Sequence, residues 1–215
     1  MANYKEIQGF PIQNLSSDPV PYAQELANNP YQGTWSSGGA VNSSRNFSSG
    51  QGSNTASIIF GGSPAGKVIT EQYDGTSWTE VGDLGTARYS IPSFGGSYTS
   101  VIAAGGTTSP TEVNNVEQWN GSSWTEIAEL GTGRYGGDGA GTVTAGIVFG
   151  GSYGGPGSPQ GPGYTSIALV ESWNGSAWTE VAENNTARAR IAGFGSSNTD
   201  AYLVGGSTGA YPVTG

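Results

Sequence analysis

The chain has 215 residues, of which 11% are charged and 38 are Gly, and its net charge is −9. Ordinary domains carry roughly 25% charged residues, so the polar surface here must come from Ser, Thr, Asn and Gln, as in a turn-rich all-β protein. Two lysines without a basic run exclude a phosphate-gripping nucleic-acid binder and polybasic membrane attachment. The absence of Cys and His removes disulfides, thiolate nucleophiles, the usual zinc sites and the Ser-His-Asp triad.

Residues 1–32 form the first segment. The start, MANYKEIQGF, lacks the apolar core of a signal peptide. No apolar run along the chain approaches a membrane span of ~18 residues. Four Pro, at positions 11, 19, 21 and 30, break up any helix pattern. Tyr4, Ile7, Phe10 and Ile12 make the segment more apolar than a free tail requires. The segment therefore predicts an extended N-terminal arm that anchors on a partner chain, with a disordered tail as the alternative.

From residue 33 onward the chain repeats itself. Trp35, Trp78, Trp124 and Trp178 are 43, 46 and 54 residues apart. Ten residues after each stands an Arg: Arg45, Arg88, Arg134 and Arg188. A Gly pair follows 16 or 17 residues later, at Gly61-Gly62, Gly105-Gly106, Gly150-Gly151 and Gly205-Gly206. Seven residues before the last three Trp stands a Glu (Glu71, Glu117, Glu171), and five before them an aromatic (Tyr73, Trp119, Trp173). The length variation falls between the Gly pair and the Glu, which makes that segment a loop on a rigid unit.

Each unit predicts four strands, a to d. Strand a follows the Arg (residues 89–94 in one copy). Strand b runs into the Gly pair (99–104, 143–149), and strand c carries the Glu and the aromatic (115–119). Strand d starts at the Trp. Asp-Gly or Asn-Gly between c and d predicts a type I′ hairpin, with positive φ at both central residues. The aromatics at the two ends of that turn are expected to pack across the hairpin or between units. Four strands in roughly 45 residues is the pattern of a β-propeller blade. The expected fold is thus all-β, a propeller of about four four-stranded units near 33–74, 75–120, 121–174 and 175–215, the last incomplete. Two closures stay open: strand d at Trp35 completes the last unit, or the chain is part of a longer one.

Recurrence assigns Arg45, Arg88, Arg134 and Arg188 with Glu71, Glu117 and Glu171 to architecture, as Arg forks tying one unit to the next. A second acidic set, Glu80, Glu126 and Glu180 with Asp83, Glu129 and Glu183, belongs on the outermost strands, where charge protects an edge from pairing. No metal and no cofactor is expected. The loop 152–164, SYGGPGSPQGPGY, breaks the symmetry, and Tyr153, Pro156, Pro159 and Tyr164 are its candidate ligand contacts. The loops 107–113 and 207–213 are expected on the same face. Asp138 and Asp200 also depart from the repeat and are the candidate pair for glycosidase chemistry.

The Gly pair, the aromatic and the Trp after a short turn resemble the kelch-repeat family from Gly33 to about Gly206. The wording GTSW, TAR, FGG and VEQWNG is similar to repeats in predicted structural proteins of marine bacteriophages, especially cyanophages, and the leader MANYKEIQGFPIQNLSSDP resembles that of such virion proteins. The resemblance implies a kelch-like propeller in a virion: a non-enzymatic fibre, decoration or host-adhesion protein. It would bind other virion proteins through the arm, form homo-oligomers in the particle, and take host-surface glycan as a ligand. A stand-alone lectin-like propeller is the alternative. Copper oxidases of kelch fold need Cys and His ligands, which this chain lacks. The run DGTSW departs from the Asp-box spacing of sialidases, so no role is carried over from them.

Overall fold

The computed structural model describes residues 38–64, 68–108, 111–154 and 164–208. The chain divides into two compact units, Met1–Ser37 and Gly38–Gly215, and everything described belongs to the second. The arm residues Tyr4, Ile7, Phe10 and Ile12 lie outside the described residues, as do Trp35, Pro156 and Pro159.

The described chain is all-β. The first sheet holds β1 (Ser49–Gly52), β2 (Ser57–Phe60), β3 (Thr70–Tyr73) and β4 (Trp78–Glu80) in sequence order. The second repeats that order with β5 (Ser93–Ser97), β6 (Ser100–Ala104), β7 (Val116–Trp119) and β8 (Trp124–Ile127). Then come β9 (Asp138–Thr142), β10 (Ala145–Phe149), β11 (Ser152–Tyr153), β12 (Thr165–Ser166), β13 (Val170–Trp173) and β14 (Trp178–Glu180). Of these, β9, β10, β13 and β14 form the third four-stranded sheet, while β11 and β12 pair at the base of the long loop. The chain continues into a hairpin of β15 (Ala189–Ser197) and β16 (Asp200–Ser207). All pairings between these strands are antiparallel, each sheet is open, and no helix occurs among the described residues.

Strand a starts later than the sequence predicts. In the second unit it begins at Ser93 rather than Tyr89. Tyr89 makes an isolated bridge to Thr107, Ser90 sits at φ 51°, and Pro92 has no N–H to donate. The chain therefore turns a corner before the ladder starts.

The turn between strands c and d also differs from the prediction. Tyr73 pairs with Trp78, so four residues form the loop, and Gly75 alone among them has positive φ, at 94°. Asp74 Oδ1 accepts N–H bonds from Thr76 and Ser77, both at 2.8 Å. Asn120 and Asn174 do the same in the next two sheets. The Asp or Asn is thus selected as an Asx acceptor that holds a wider loop, not as a left-handed residue. Across each hairpin the aromatics meet as expected: Tyr73–Trp78 at 5.1 Å, Trp119–Trp124 at 5.4 Å and Trp173–Trp178 at 5.2 Å between ring centroids.

Core forms where one sheet faces the next. Ile58 and Phe60 of the first sheet pack with Ile91, Val101, Ala103 and Trp119. Phe94, Ile102 and Val116 of the second pack with Val148 and Trp173 of the third. Ile147 and Phe149 of the third meet Ile191 and Leu203 of the last hairpin. Strand a of each unit lies beside strand a of the next: β1 by β5, β5 by β9, β9 by β15. A ladder of backbone bonds joins them at one end. Ser90 N–H donates to Phe47 O at 2.8 Å, Gly136 to Ser90 O at 2.9 Å, and Arg190 to Gly136 O at 2.6 Å. All four ladder residues have left-handed φ, between 51° and 64°. That conformation turns each carbonyl toward the following unit.

Candidate functional site: the groove along the first strands and the loop of the third sheet

The repeated ionic residues form a clasp in each complete sheet. Arg88 donates to Gly105 O at 2.7 Å, Asn115 O at 2.6 Å and Glu117 Oε1 at 2.8 Å, with both side chains buried. Arg45 pairs with Glu71, and Arg134 with Glu171, in the same way. The carboxylate lies in the sheet that the Arg itself opens, so the fork ties strands within one unit rather than one unit to the next. The tie to the preceding sheet runs through other atoms. Gly62 N–H donates to Arg88 O at 3.2 Å and Gly106 N–H to Arg134 O at 2.7 Å. The second oxygens of Glu117 and Glu171 accept from Gly85 N–H and Gly131 N–H, both at 2.7 Å, just after strands β4 and β8. Burial pushes the Arg88 guanidinium pKa down, against the attraction of Glu117. It pushes that of Arg134 down against Glu171. Apart from Arg88 Nε, which is buried with no hydrogen-bond partner among the described residues, the hydrogen bonds of these ions go to the scaffold. Arg188 opens the two-stranded hairpin, where it donates to Gly205 O at 3.2 Å and pairs with no carboxylate among the described residues.

The outer acidic set stands on or after the edge strands β4, β8 and β14. Among the described residues no three acidic groups come together to hold a metal ion.

The two acids that break the repeat are differently placed. Asp138 opens β9, and its oxygens accept N–H bonds from its own neighbour Gly139 at 2.9 Å and from Gly193 of β15 at 2.8 Å. Burial raises its pKa, partly offset by those backbone donors. Asp200 is exposed and accepts from Ser196 Oγ at 2.7 Å. Asp138 thus serves as a staple between the third sheet and the last hairpin.

Next to that staple lies a groove of about 510 Å³, bordered by the first strand of all four units, β1, β5, β9 and β15. Phe47, Ser49, Gln51, Ser93, Asp138 and Arg190 line it. Beside it is a smaller cavity of about 70 Å³, walled by Phe47, Ser90, Tyr135, Gly136, Ser152, Ala189 and Arg190. Of the loop residues singled out from sequence, Tyr153 is 44% exposed at the base of the loop. Tyr164 is buried, at 2%, and the Arg190 guanidinium lies 5.2 Å from its ring centroid. Tyr164 is a wall of the structure and not a solvent-facing contact. Sequence reading missed Ser152, Tyr135 and Arg190 as a group. The available signal was Arg190, a cation two residues after the repeated Arg, where the other units have Phe47, Ser90 and Gly136.

No protein-family model matches the chain, and the curated proteins contain no match to it.

Proposed function

We propose that this chain is a non-enzymatic structural component of a bacteriophage virion, a fibre, decoration or host-adhesion protein that displays a kelch-like propeller. The observation that carries the propeller reading is the ladder Phe47–Ser90–Gly136–Arg190, with strands β1, β5, β9 and β15 as successive neighbours. Sheets stacked face to face, each with its innermost strand beside the next, suit a radial array of blades. The location in a virion rests on the wording of the repeats and on the leader. Both call for a rigid display scaffold with uncharged polar surface, and the clasps supply rigidity without chemistry. Partners are other virion proteins at the arm and further copies of the chain.

A second reading, a stand-alone lectin-like propeller, is favoured by a different observation. The groove along the first strands and the exposed Tyr153 sit where the repeat symmetry breaks.

Mass spectrometry of gradient-purified particles tests the first reading. Peptides of this chain at stoichiometric level are expected. Their confinement to lysed cells sinks it and leaves the lectin-like account.

A further inference from the structure

Among the described residues the stack of sheets shows two uncovered end faces, and one of them is apolar. Inside the stack, β5 and β6 present Phe94, Ile102 and Ala104 to the third sheet, all buried. The β15–β16 hairpin carries Phe194, Tyr202 and Val204 at the same register positions. Its opposite face is occupied, since Ala201 and Leu203 pack on the third sheet. Phe194, Tyr202 and Val204 stand 53%, 59% and 47% exposed. The end of a stack stays soluble by a polar outer face, whereas an apolar one marks a contact surface.

The other end face holds a seat that matches it. Where two sheets meet inside the chain, the later sheet offers the indole of its strand d, and the third sheet adds glycines. Phe94 lies on Gly139 and Gly146 of the third sheet, where no Cβ fits, and Trp178 meets it edge-on at 6.0 Å. Trp124 of the second sheet likewise meets Phe60 of the first edge-on at 4.9 Å. By register, Gly50, Ser57 and Trp78 are the first sheet's counterparts of Gly139, Gly146 and Trp178. Ser57 differs from Gly146 by one hydroxymethyl group. Gly50, Ser57 and Trp78 line a groove of about 430 Å³.

The indole at that seat is already held as its counterpart in the third sheet is. Trp178 N–H donates to Ala128 O at 2.9 Å and Trp78 N–H to Gly39 O at 3.0 Å, each carbonyl four residues after a repeated Trp. Trp78 lies against Tyr73 at 5.1 Å as Trp178 lies against Trp173 at 5.2 Å. Yet among the described residues neither Trp78 nor Phe194 joins a hydrophobic cluster. The two faces belong to one compact unit, and Phe194 is exposed in it, so the first sheet of the same copy does not cover the hairpin.

We propose that the exposed face of the β15–β16 hairpin is a docking surface for a second copy of this chain, which seats Phe194 in the groove beside Trp78 of its first sheet. Tyr202 and Val204 flank the ring, in the places that Ile102 and Ala104 take beside Phe94. The contact continues between copies the packing that the chain already makes between its own sheets. The two surfaces differ, so the association is heterologous, head to tail. The inference deepens the reading above and rests on its face-to-face stacking of blades, not on the virion.

The test is sedimentation velocity of the full chain over a wide range of concentration. The wild type is expected to gain mass as concentration rises. Phe194→Ser combined with Tyr202→Ser spoils the hairpin face, and Ser57→Lys spoils the seat. Each variant should associate about tenfold more weakly or worse, while melting near the wild type when dilute. An equimolar mixture of the two should recover a one-to-one complex, because one hairpin face and one seat remain intact. Three results overturn the proposal: a wild type that stays monomeric throughout, association unchanged in either variant, or variants that do not complement each other. Should Ser57→Lys fail to fold, the hairpin variant, changed only at exposed positions, still decides. Absence of the chain from particles sinks the virion reading and leaves the association intact. A monomeric wild type overturns the docking surface alone.

Discussion

The β5–β6 hairpin of the second sheet and the β15–β16 hairpin have nearly the same local design. Phe94 pairs with Ile102 and Phe194 with Tyr202, and both ladders slip at the same place, between Gly95 and Ser97 or Gly195 and Ser197. Their surroundings differ. Phe94 is 1% exposed, lying on the Gly146 backbone where no Cβ fits and edge-on to Trp178. Phe194 is 53% exposed and stacks on Tyr202 at 5.4 Å. Strand β6 continues into β7 and β8, whereas β16 pairs with β15 alone among the described residues. Local pattern therefore makes the hairpin, bulge included. Burial comes from the third and fourth strands and from the sheet stacked on the face.

The largest effect that tests this contrast is on the clasp. Arg88→Ala leaves Glu117 buried without its cation and should cost about 3–5 kcal/mol in urea unfolding. Arg188→Ala, without a carboxylate partner among the described residues, should cost under about 1 kcal/mol. Equal losses at the two positions would break the comparison. Combining Arg88→Met with Glu117→Gln should recover much of the first loss, because no charge is then stranded.

Next come the paired phenylalanines. Phe94→Ala should cost about 3–5 kcal/mol through lost burial and a cavity between two sheets. Phe194→Ala should stay within about 0.5 kcal/mol. Hydrogen exchange offers the same comparison without mutation: amides of β16 should exchange faster than those of β6.

A smaller effect concerns Asp138, which holds the last hairpin to the third sheet through Gly193. Its folded-state pKa is raised, chiefly by burial. The stability it contributes is fully present below the unfolded-state carboxylate value and is lost as pH rises through the higher folded-state value. Unfolding measured across the acidic range should show that fall in the wild type, and Asp138→Asn should flatten that part of the profile. An unchanged slope would remove the staple from the account.

A local change is expected at the turn between β7 and β8. Asn120→Ala should cost about 1 kcal/mol, since two backbone N–H groups lose their acceptor. Asn120→Gly should not rescue it, because the residue acts through its side chain rather than its φ.

Periodicity alone determined a good deal here. The spacing of Trp, Arg, Gly pair and Glu placed the strands to within a few residues, because each residue type answers a local demand: alternation, a corner, or a cross-hairpin aromatic pair. It also grouped the Arg and Glu residues as architecture, since a role repeated in every unit is a role in the scaffold. Three features were decided only by tertiary structure. The turn type at Asp74 depended on which backbone donors its carboxylate met. The sheet in which each Glu met its Arg depended on where the chain crossed between layers. The small cavity walled by Phe47, Ser90, Tyr135, Ser152 and Arg190 combines residues from all four units, up to 143 positions apart. A pattern read along the chain records what each unit repeats. A cavity formed where units meet, from positions at which they differ, exists only once the sheets have stacked.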